Sequence, residues 1–395
     1  MIRTILELFL GYSCVVSCVY WLASTWLLRR RFRPSSADAE AAPTLPPVTF
    51  LRPLKSGVPD LEARLAEAAA VLRAGDQLVL GVDPDSPEWA ACTRLAEQPS
   101  PGEIIVVPCG AGHAQNPKIN KLVQMQRAVR CEHLVLMDSE AMLTTEWMHR
   151  FRAEWARGDA ALLTAGYRFA GATRCLQQLD AAPVLLTLWP GLAYVEVAAG
   201  LWFALGACIA LRRETLETAG GWSAYADHLA EDYALGQRIR QAGGKVMLSK
   251  EVLPLHADAL GAAAYWRHQR RIAVTYRVAN RTGFMSQVMT HGVTAAILLI
   301  LLTEFALGAW ILAGIVALVR IFTASAMSRV LAWPVPHLWL IAPLASLMES
   351  IVWAAAWCSR RIWWAGRWWS VSRSGELALS PGRANERFPT SRSLS

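Results

Sequence analysis

The chain has 395 residues and a formal net charge of +8. Hydrophobic residues make up 54% of it and 18 residues are tryptophans, a composition too apolar for an ordinary soluble enzyme and typical of a protein that contacts a bilayer. The basic residues near Arg29 and Arg360 flank apolar segments, which is how membrane proteins place Lys and Arg. We therefore expect no nucleic-acid partner. The eight cysteines form no C-x-x-C pair that would indicate a zinc site.

The N-terminal apolar run covers residues 5–28 and ends at an arginine-rich cluster, residues 29–33. About 20 helical residues cross a bilayer, so this run is long enough to span it. The run continues directly into arginines, which favours an uncleaved anchor over a signal peptide. We predict a transmembrane anchor over residues 1–33, with its basic end in the cytoplasm, and a linker over residues 34–47.

Two apolar segments lie toward the C-terminal end. The first, residues 293–319, contains Glu304 and predicts either a single span or, if it breaks near that residue, a re-entrant pair. The second, residues 335–357, ends in arginines and tryptophans, as is typical of a cytoplasmic membrane interface. We predict a transmembrane region over residues 291–369 with about two spans, and a polar cytoplasmic tail over residues 370–395.

The apolar run at residues 183–211 is also long enough to cross a membrane, but it contains Pro190, Glu196 and several glycines. A span here would place the acidic residues before and after it on opposite sides of the membrane. We therefore interpret the run as core strands and helices together with a segment that dips into the membrane surface, which protein-buried backbone can do.

Residues 48–290 predict a cytoplasmic α/β domain that includes a helix at the membrane interface. Its first half alternates strands and amphipathic helices, which is the pattern of a parallel α/β sheet. The predicted strands are residues 48–54, 77–83, 103–109 and 133–140, and the predicted helices are residues 61–75, 88–98 and 119–131. Ligands bind at the carboxyl ends of strands in such sheets, so the residues there are the first candidates for a site.

Acidic residues follow two of these strands. Asp83 and Asp85 follow the second strand, and Asp138 and Glu140 follow the fourth. Residues two apart in an extended segment point to the same side, so Asp138 and Glu140 are expected to converge on one ligand. Carboxylate oxygens suit Mg²⁺ or Mn²⁺, which in turn bind phosphates. The alternative explanation for such acids is a solvated turn or a helix cap.

A second acidic pair, Glu231 and Asp232, begins a predicted helix. Leu235, Ile239 and Ala242 share one face of that helix, and a glycine pair ends it. Acids at this position can complement the helix dipole and cap free N–H groups. Alternatively, one of them can act as a general base that takes a proton from a hydroxyl nucleophile.

A basic and aromatic helix is predicted over residues 262–277. Arg267, Arg270 and Arg271 lie on one side of it, close to Trp266. Such a helix can hold acidic lipid headgroups at a membrane surface. It can also clamp a diphosphate with its arginines, with Trp266 shaping the pocket.

Taken together and in this order, these motifs resemble the processive-type inverting glycosyltransferases with three aspartate motifs and an R/Q-x-x-R-W motif. More narrowly, they resemble the ceramide glucosyltransferase family. The matching segments are FLRPLKSGVPDLEARL, GVDPDSPE, QNPKINKL, MDSEAM, ALRRETLETAGGW, LAEDYALGQRI and RHQRR, within residues 48–281. The resemblance implies a GT-A (Rossmann-like) glycosyltransferase domain with one N-terminal and about two C-terminal transmembrane helices.

The resemblance also implies roles for individual residues. Asp232 would be the catalytic base. The residues implied to bind a UDP-sugar are Asp83, Asp85, Lys118, Asp138, Trp266, Arg267 and Arg270. Asp138 and Glu140 would hold a divalent cation, Mg²⁺ or Mn²⁺, and His256 is a further candidate ligand.

The segments ADHLAEDYALG, YWRHQRR and GFMSQVMTH resemble the bacterial hopanoid-biosynthesis glycosyltransferases more than the eukaryotic ceramide enzymes. This implies transfer of N-acetylglucosamine from UDP-GlcNAc to bacteriohopanetetrol at the bacterial inner (cytoplasmic) membrane. Transfer of glucose to ceramide is the alternative within the same class. A processive polysaccharide synthase would need more spans, and a catalytically impaired membrane scaffold would have no use for these acids and arginines together.

Three positions depart from the family's pattern. Arg271 stands where the basic motif has Trp, Lys121 where NPKINKL usually has Asn, and Glu140 where the second acidic motif more often ends in Asp. The change at Glu140 is chemically mild. Arg271 replaces an aromatic wall with a charge, which predicts an altered acceptor site or weaker activity.

Overall fold

The computed structural model describes residues 1–33 and 44–380 of the chain. Most of the predicted linker and residues 381–395 of the predicted tail therefore lie outside the described residues. The helices are α1 (Ile2–Arg31), α2 (Leu61–Ala70), α3 (Glu88–Ala96), α4 (Pro117–Met125), α5 (Thr145–Arg157), α6 (Cys175–Pro183), α7 (Trp189–Ala198), α8 (Arg213–Thr218), α9 (Glu231–Gln241), α10 (Ala262–Ala279), α11 (Arg281–Ser286), α12 (Gly292–Leu302), α13 (Leu307–Val330) and α14 (Leu338–Cys358). The strands are β1 (Val48–Pro53), β2 (Gln77–Val82), β3 (Glu103–Pro108), β4 (His133–Met137), β5 (Leu162–Thr164), β6 (Tyr167–Ala170), β7 (Cys208–Arg212), β8 (Val246–Leu248), β9 (Leu253–His256), β10 (Arg361–Trp364), β11 (Arg367–Val371) and β12 (Leu377–Leu379).

A seven-stranded sheet with the order β3-β2-β1-β4-β7-β5-β8 forms the centre of the soluble domain. The first four of these strands run parallel, and β7 runs antiparallel to both β4 and β5. Every residue of β1 and β2 is buried, because helices cover both faces of the sheet. The predicted α/β fold is confirmed. β6 and β9 pair in parallel as a separate two-stranded sheet.

The apolar run near the middle of the chain forms a long helix rather than strands up to β7. A π-helical turn, Val184–Leu188, joins α6 and α7, and the combined helix Cys175–Ala198 is long and apolar enough to cross a membrane. Both of its ends are attached to the soluble domain. Gln177 Nε2 donates to Ala257 O at 3.2 Å near the start, and Leu201 pairs with Val246 just beyond the end. The helix therefore lies against the domain, and its place at the membrane surface stays a prediction.

Within the described residues, α1, α13 and α14 also have the length and composition of membrane spans. A single span over residues 293–319 is wrong, because α12 ends at Leu302 and the chain turns before α13. Glu304 and Phe305 adopt positive φ angles of 54° and 65° in this turn. The break near Glu304 is therefore present, and Arg3 Nη1 contacts Glu304 Oε1 at 2.8 Å, which places the turn beside the start of α1.

A buried arginine joins the apolar helices. Arg320 of α13 is 2% exposed, and its guanidinium lies 4.4 Å from the ring centre of Trp21. It donates to Ser346 Oγ at 2.8 Å and to Leu186 O at 3.3 Å, and it lies 3.8 Å from Glu349. A charged side chain among apolar helices needs such partners, so this cluster holds α1, α13 and α14 to the helix at the domain surface.

The described residues after α14 form strands, where the sequence predicted the end of a membrane region and the start of a polar tail. Residues 361–379 form a three-stranded antiparallel sheet, β10-β11-β12, here named the C-terminal sheet. Ala365 and Gly366, with φ angles of 48° and 76°, make the tight turn between β10 and β11. Buried apolar side chains of this sheet pack against Ala273 and Val274 of α10. The tryptophans predicted to lie at a lipid interface therefore belong to a folded sheet.

Candidate active site

Four charged side chains from three elements meet at the carboxyl end of β4. Lys118, in the first turn of α4, places Nζ 2.7 Å from Asp138 Oδ1 and 3.6 Å from Glu231 Oε1. Lys118 Nζ also donates to Gly206 O at 2.9 Å. Asp232 belongs to the same cluster, because Gly206 N donates to its Oδ2 at 2.7 Å. The cluster thus combines the two predicted acidic motifs with the predicted lysine.

The carboxylate of Asp232 is fixed by backbone donors on both oxygens. Gly206 N holds Oδ2, and Tyr233 N holds Oδ1 at 2.8 Å. A side chain at Gly206 would be crowded, since a Cβ there would lie 3.0 Å from Asp232 Oδ2 and 3.2 Å from Lys118 Nζ. The glycine thus allows the backbone to approach the carboxylate and the ammonium closely.

Asn116 orients the neighbouring acid. Its Nδ2 donates to Glu231 Oε2 at 3.0 Å and to His228 O at 2.8 Å. Its Oδ1 accepts from the backbone N–H groups of Lys118 and Ile119, which makes Asn116 the N-cap of α4. One amide therefore ties the start of α4 to the start of α9. Reasoning from the sequence missed this role, although an Asn directly before Pro117 is a recognisable N-cap signal.

Burial and mutual attraction set the protonation of this cluster. Burial raises the pKa of Asp138, Glu231 and Asp232 above their ordinary values, although the ammonium of Lys118 opposes the shift at each. Burial alone would lower the pKa of Lys118, but the nearby carboxylates outweigh it and raise that pKa. The lysine is therefore the compensating charge that keeps several acids together in a confined site.

Glu140 lies in a turn rather than in an extended segment, because Ala141 N donates to Asp138 O at 3.2 Å. The physical reason is the buried Arg52, whose Nη2 donates at 2.9 Å to the carbonyl oxygens of both Ser139 and Ala141. Burial lowers the pKa of Arg52 to about 10, against the pull of Glu140 and other carboxylates. The alternation expected for an extended chain therefore does not govern this acidic pair.

Lys55 forms an ion pair with Glu140 and a second one with Asp258, at 2.9 Å in the latter case. Burial alone would raise the pKa of Glu140, but the ammonium of Lys55 lowers it below its ordinary value. Glu140 therefore stays ionised at neutral pH. Lys55 is a second functional candidate that reasoning from the sequence did not identify.

The donor set suits a divalent cation only in part. Asp138 and Glu140 supply hard carboxylate oxygens, but within residues 1–33 and 44–380 no group of three His, Cys, Asp or Glu side chains is close enough to hold a metal alone. Mg²⁺ commonly binds one or two carboxylates and completes its shell with phosphate oxygens and water. The residues therefore fit a cation that arrives with a diphosphate, and such a cation would compete with Lys118 for Asp138.

The remaining predicted binding residues lie around this centre. Asp83 follows β2, and its Oδ1 accepts from the backbone N–H of Asp85 at 3.0 Å in a local turn. The backbone N–H of His256 donates to Glu140 O at 3.0 Å, so His256 lies beside the acidic turn. Its Nε2 lies 3.8 Å from Asp60 Oδ2. Because His256 is next to Glu140, its role as a metal ligand stays a prediction.

The predicted basic residues on α10 contact the C-terminal sheet. The guanidinium of Arg267 lies 5.9 Å from the ring centre of Trp363, and Arg270 Nη2 donates to Arg361 O at 3.0 Å. Trp266 packs against the apolar cluster that α10 shares with this sheet. These side chains thus lie against the C-terminal sheet or the cluster it shares with α10, and their role at a diphosphate stays a prediction.

Two further residues of α10 contact α6. His268 Nδ1 lies 2.8 Å and 3.0 Å from the two carboxylate oxygens of Asp180, and Gln269 Nε2 donates to Asp180 Oδ1 at 2.8 Å. Asp180 is 11% exposed and His268 is 31% exposed. This contact fixes the rotation of α10 beside the acidic cluster. No local pattern in the sequence marks it, because its partners lie 88 residues apart.

A mixed α/β sheet with acids at the carboxyl ends of β2 and β4 is the architecture of a GT-A glycosyltransferase. Here it is joined to apolar helices that fit a membrane-associated protein. The profile of Glycosyl transferase family 21 matches residues 9–377 of the chain. The chain belongs to this family and is a glycosyltransferase.

Solved structures agree with the fold. The mannosyltransferase PcManGT from Pyrobaculum calidifontis, in complex with GDP-Man and Mn²⁺, is similar over 89% of this chain and 98% of its own, at 18% identity and a TM-score of 0.50. Glucosyl-3-phosphoglycerate synthase from Mycobacterium tuberculosis, in complex with Mn²⁺, UDP and phosphoglyceric acid, matches 62% of this chain and 84% of its own, at 13% identity and a TM-score of 0.38. At 18% identity, the similarity to PcManGT supports the fold alone. The similarity to the synthase, with a TM-score of 0.38, adds nothing to this.

Proposed function

We propose that this protein is an inverting glycosyltransferase that moves a sugar from a UDP-sugar to the hydroxyl of a membrane lipid. The observation that carries the proposal is the partly buried cluster of Asp138, Glu231 and Asp232 around Lys118, in a member of glycosyl transferase family 21. A carboxylate with a raised pKa beside a confined cationic group suits proton removal from a hydroxyl.

In this mechanism Asp232 is the general base. Both of its oxygens accept backbone N–H groups, so its orientation is fixed before substrate binds. The acceptor hydroxyl loses its proton to Asp232 as its oxygen attacks the anomeric carbon, and the bond to the UDP oxygen breaks on the opposite face. A single displacement converts an α-linked donor into a β-linked product.

The donor would lie across the carboxyl ends of the strands. Asp83 and Asp85 would contact the uridine or its ribose, and Lys118 would reach the diphosphate. Asp138 and Glu140 would hold Mg²⁺ or Mn²⁺, and such a cation supplies charge stabilisation for the leaving diphosphate. The PcManGT complex, as a fold relative, contains a nucleotide sugar together with Mn²⁺.

The acceptor is proposed to be a hopanoid such as bacteriohopanetetrol, with N-acetylglucosamine as the sugar. The support is the resemblance of the segments around Asp232 and Arg270 to the hopanoid branch. Ceramide with UDP-glucose is the second candidate, favoured by the broader resemblance to ceramide glucosyltransferases. Either lipid would approach from the side of α1, α13 and α14. We place the protein in the bacterial inner membrane, with the catalytic domain in the cytoplasm.

Product analysis by mass spectrometry tests this proposal. Membranes that contain the wild type or Asp232→Asn receive UDP-GlcNAc or UDP-glucose, each acceptor in turn, and Mg²⁺ or Mn²⁺. We expect one N-acetylhexosamine on bacteriohopanetetrol from the wild type and none from the variant. The matched carboxylate-to-amide control is Glu146→Gln, whose side chain is 80% exposed on α5. Hexose on ceramide would select the second candidate, and no transfer to either lipid would contradict the proposed acceptors.

A further inference from the structure

Both ends of α14 are attached to the soluble domain, although the helix has the length and composition of a membrane span. Shortly before the helix begins, the ring centre of Trp333 lies 6.4 Å from that of Phe169 in β6. At the other end, Arg277 of α10 donates hydrogen bonds to the carbonyl oxygens of Ala356 and Ser359. The 21 residues of α14 extend over about 32 Å, enough to cross the hydrocarbon core if the helix stood upright. Because β6 and α10 belong to one domain, the helix instead runs along the surface of that domain.

The middle of α14 faces the protein as well. Thr187, in the π-helical turn between α6 and α7, donates from Oγ1 to Glu349 Oε1 at 2.8 Å. Ala342, Ala345 and Ser346 are buried. One face of α14 is therefore covered from start to end, by α6, α10 and α13.

The opposite face of α14 is apolar and exposed. Leu340, Leu344 and Ile351 are 52%, 36% and 45% exposed. At about 100° per residue, these three side chains lie within about 40° of one another around the helix axis. The polar side chains of Ser346 and Glu349 face the protein, which is the reverse of the arrangement in a surface helix that contacts water. An outward apolar stripe of this kind requires lipid along the whole helix.

The arginines near α14 also oppose a crossing. Arg329 lies in the last turn of α13, Arg360 and Arg361 follow α14, and all three are exposed. If α14 crossed the membrane, Arg329 and the pair after α14 would lie on opposite sides. Basic residues beside membrane spans gather on the cytoplasmic side. A helix along the surface keeps all of them on one side, together with the arginine-rich cluster at residues 29–33.

We propose that α14 lies in the plane of the membrane surface and docks the soluble domain onto the cytoplasmic leaflet. Leu340, Leu344 and Ile351 enter the boundary between headgroups and acyl chains, where apolar side chains of such helices reach about 5–10 Å deep. The arginines that follow α14 face the lipid phosphates. Among the described residues, the membrane is then crossed by α1, by α13, and by Arg281–Thr290 with Gly292–Leu302 as one span bent by 53°. The last span expected from the sequence becomes a docking helix.

Thiol labelling from the two sides of the membrane tests this placement. The reporters are Cys358, an exposed native cysteine at the end of α14, and Pro336→Cys just before its start, in a chain that lacks Cys358. The other exposed or partly exposed cysteines are changed to serine in both proteins: Cys18, Cys131 and Cys175. We expect a membrane-impermeant maleimide to label both reporters in inside-out vesicles and neither in right-side-out vesicles. Ala306→Cys, in the exposed turn between α12 and α13, should show the opposite pattern.

Labelling of the two reporters from opposite sides would overturn the inference and make α14 a span. Pro334→Cys, also exposed, replaces the first reporter if Pro336→Cys does not fold. The labelling pattern does not depend on the sugar or on the lipid acceptor. Its failure would therefore leave the proposed function intact, and a failure of glycosyl transfer would leave this inference intact.

Spin-label depth in reconstituted bilayers gives an independent measurement. Nitroxides at Leu340→Cys, Leu344→Cys and Ile351→Cys should all lie about 5–10 Å deep. On α13, the exposed Leu318→Cys should lie about 10 Å deeper than Ile311→Cys, because seven helical residues separate them in a span. A label on α14 near the bilayer centre, about 15 Å deep, would contradict a helix in the plane of the surface.

Discussion

Replacement of Lys118 by methionine tests the electrostatic account of the site. Lys118 is 16% exposed and neutralises Asp138 and Glu231, which lie 2.7 Å and 3.6 Å from its Nζ. Removal of one partner from a buried ion pair costs about 3–5 kcal/mol. Asp138 is 34% exposed, so solvent screens part of the loss and we expect the lower end, about 3 kcal/mol. For a domain of this size the thermal unfolding midpoint should fall by about 6–12 °C.

The destabilisation should also depend on pH. The pKa values of Asp138, Glu231 and Asp232 are raised in the folded state, so their stabilising effect is full at low pH and is lost as the pH rises through those raised values. Without the ammonium these pKa values rise further. The deficit of the variant relative to the wild type should therefore grow as the pH rises above the ordinary carboxylate values of about 4. Lys118 itself stays charged at neutral pH, because its pKa is raised.

Scanning fluorimetry of the purified proteins in detergent at several pH values gives the measurement. The control is Lys245→Met, whose ion pair with Asp159 is exposed and should leave the unfolding midpoint nearly unchanged. A deficit that does not change with pH, or no deficit at all, would refute the view that Lys118 compensates this cluster of carboxylates.

Three other predictions concern the base, the close backbone approach and the buried arginine. Since burial raises the pKa of Asp232, kcat/KM should rise with pH through a midpoint above the ordinary aspartate value of about 4, and a midpoint at or below that value would contradict the assignment. Gly206→Ala crowds this carboxylate and should lower kcat by about tenfold or more, whereas Gly191→Ala, with open space around its Cβ, should leave kcat unchanged; equal kcat values would exclude the proposed crowding. Arg320→Met leaves Glu349 without its cation and should cost about 3 kcal/mol in unfolding measurements, with much of this recovered by adding Glu349→Gln; a double variant no more stable than Arg320→Met would argue against the pairing.

Local patterns predicted the main architecture because they report on burial along a short stretch of chain. Continuous apolar runs identified the first four strands, and their order with the intervening helices predicted the parallel part of the sheet. The span over residues 293–319 was predicted less well. Glu304 and Phe305 adopt positive φ angles, which end α12 before α13 begins. A hydropathy pattern does not report backbone angles, so it did not predict this turn.

The side chains that complete the site could not be predicted in this way. Asn116 contacts Glu231 across 115 residues, and the turn at Glu140 depends on the buried Arg52 in another strand. The tryptophans after α14 have the composition of a lipid interface, yet they pair as strands and pack on α10. Composition alone does not distinguish these outcomes, because both bury apolar area.

The sequence by itself determined which residue types are present at strand ends and helix starts, since those depend on neighbours a few positions away. It thus identified Asp138, Asp232 and Lys118 as candidates. Only the tertiary structure decided which charges meet. The reason is geometric: a rotation of about 100° per residue separates Arg267 from His268, so the first contacts Trp363 of the C-terminal sheet and the second contacts Asp180 of α6.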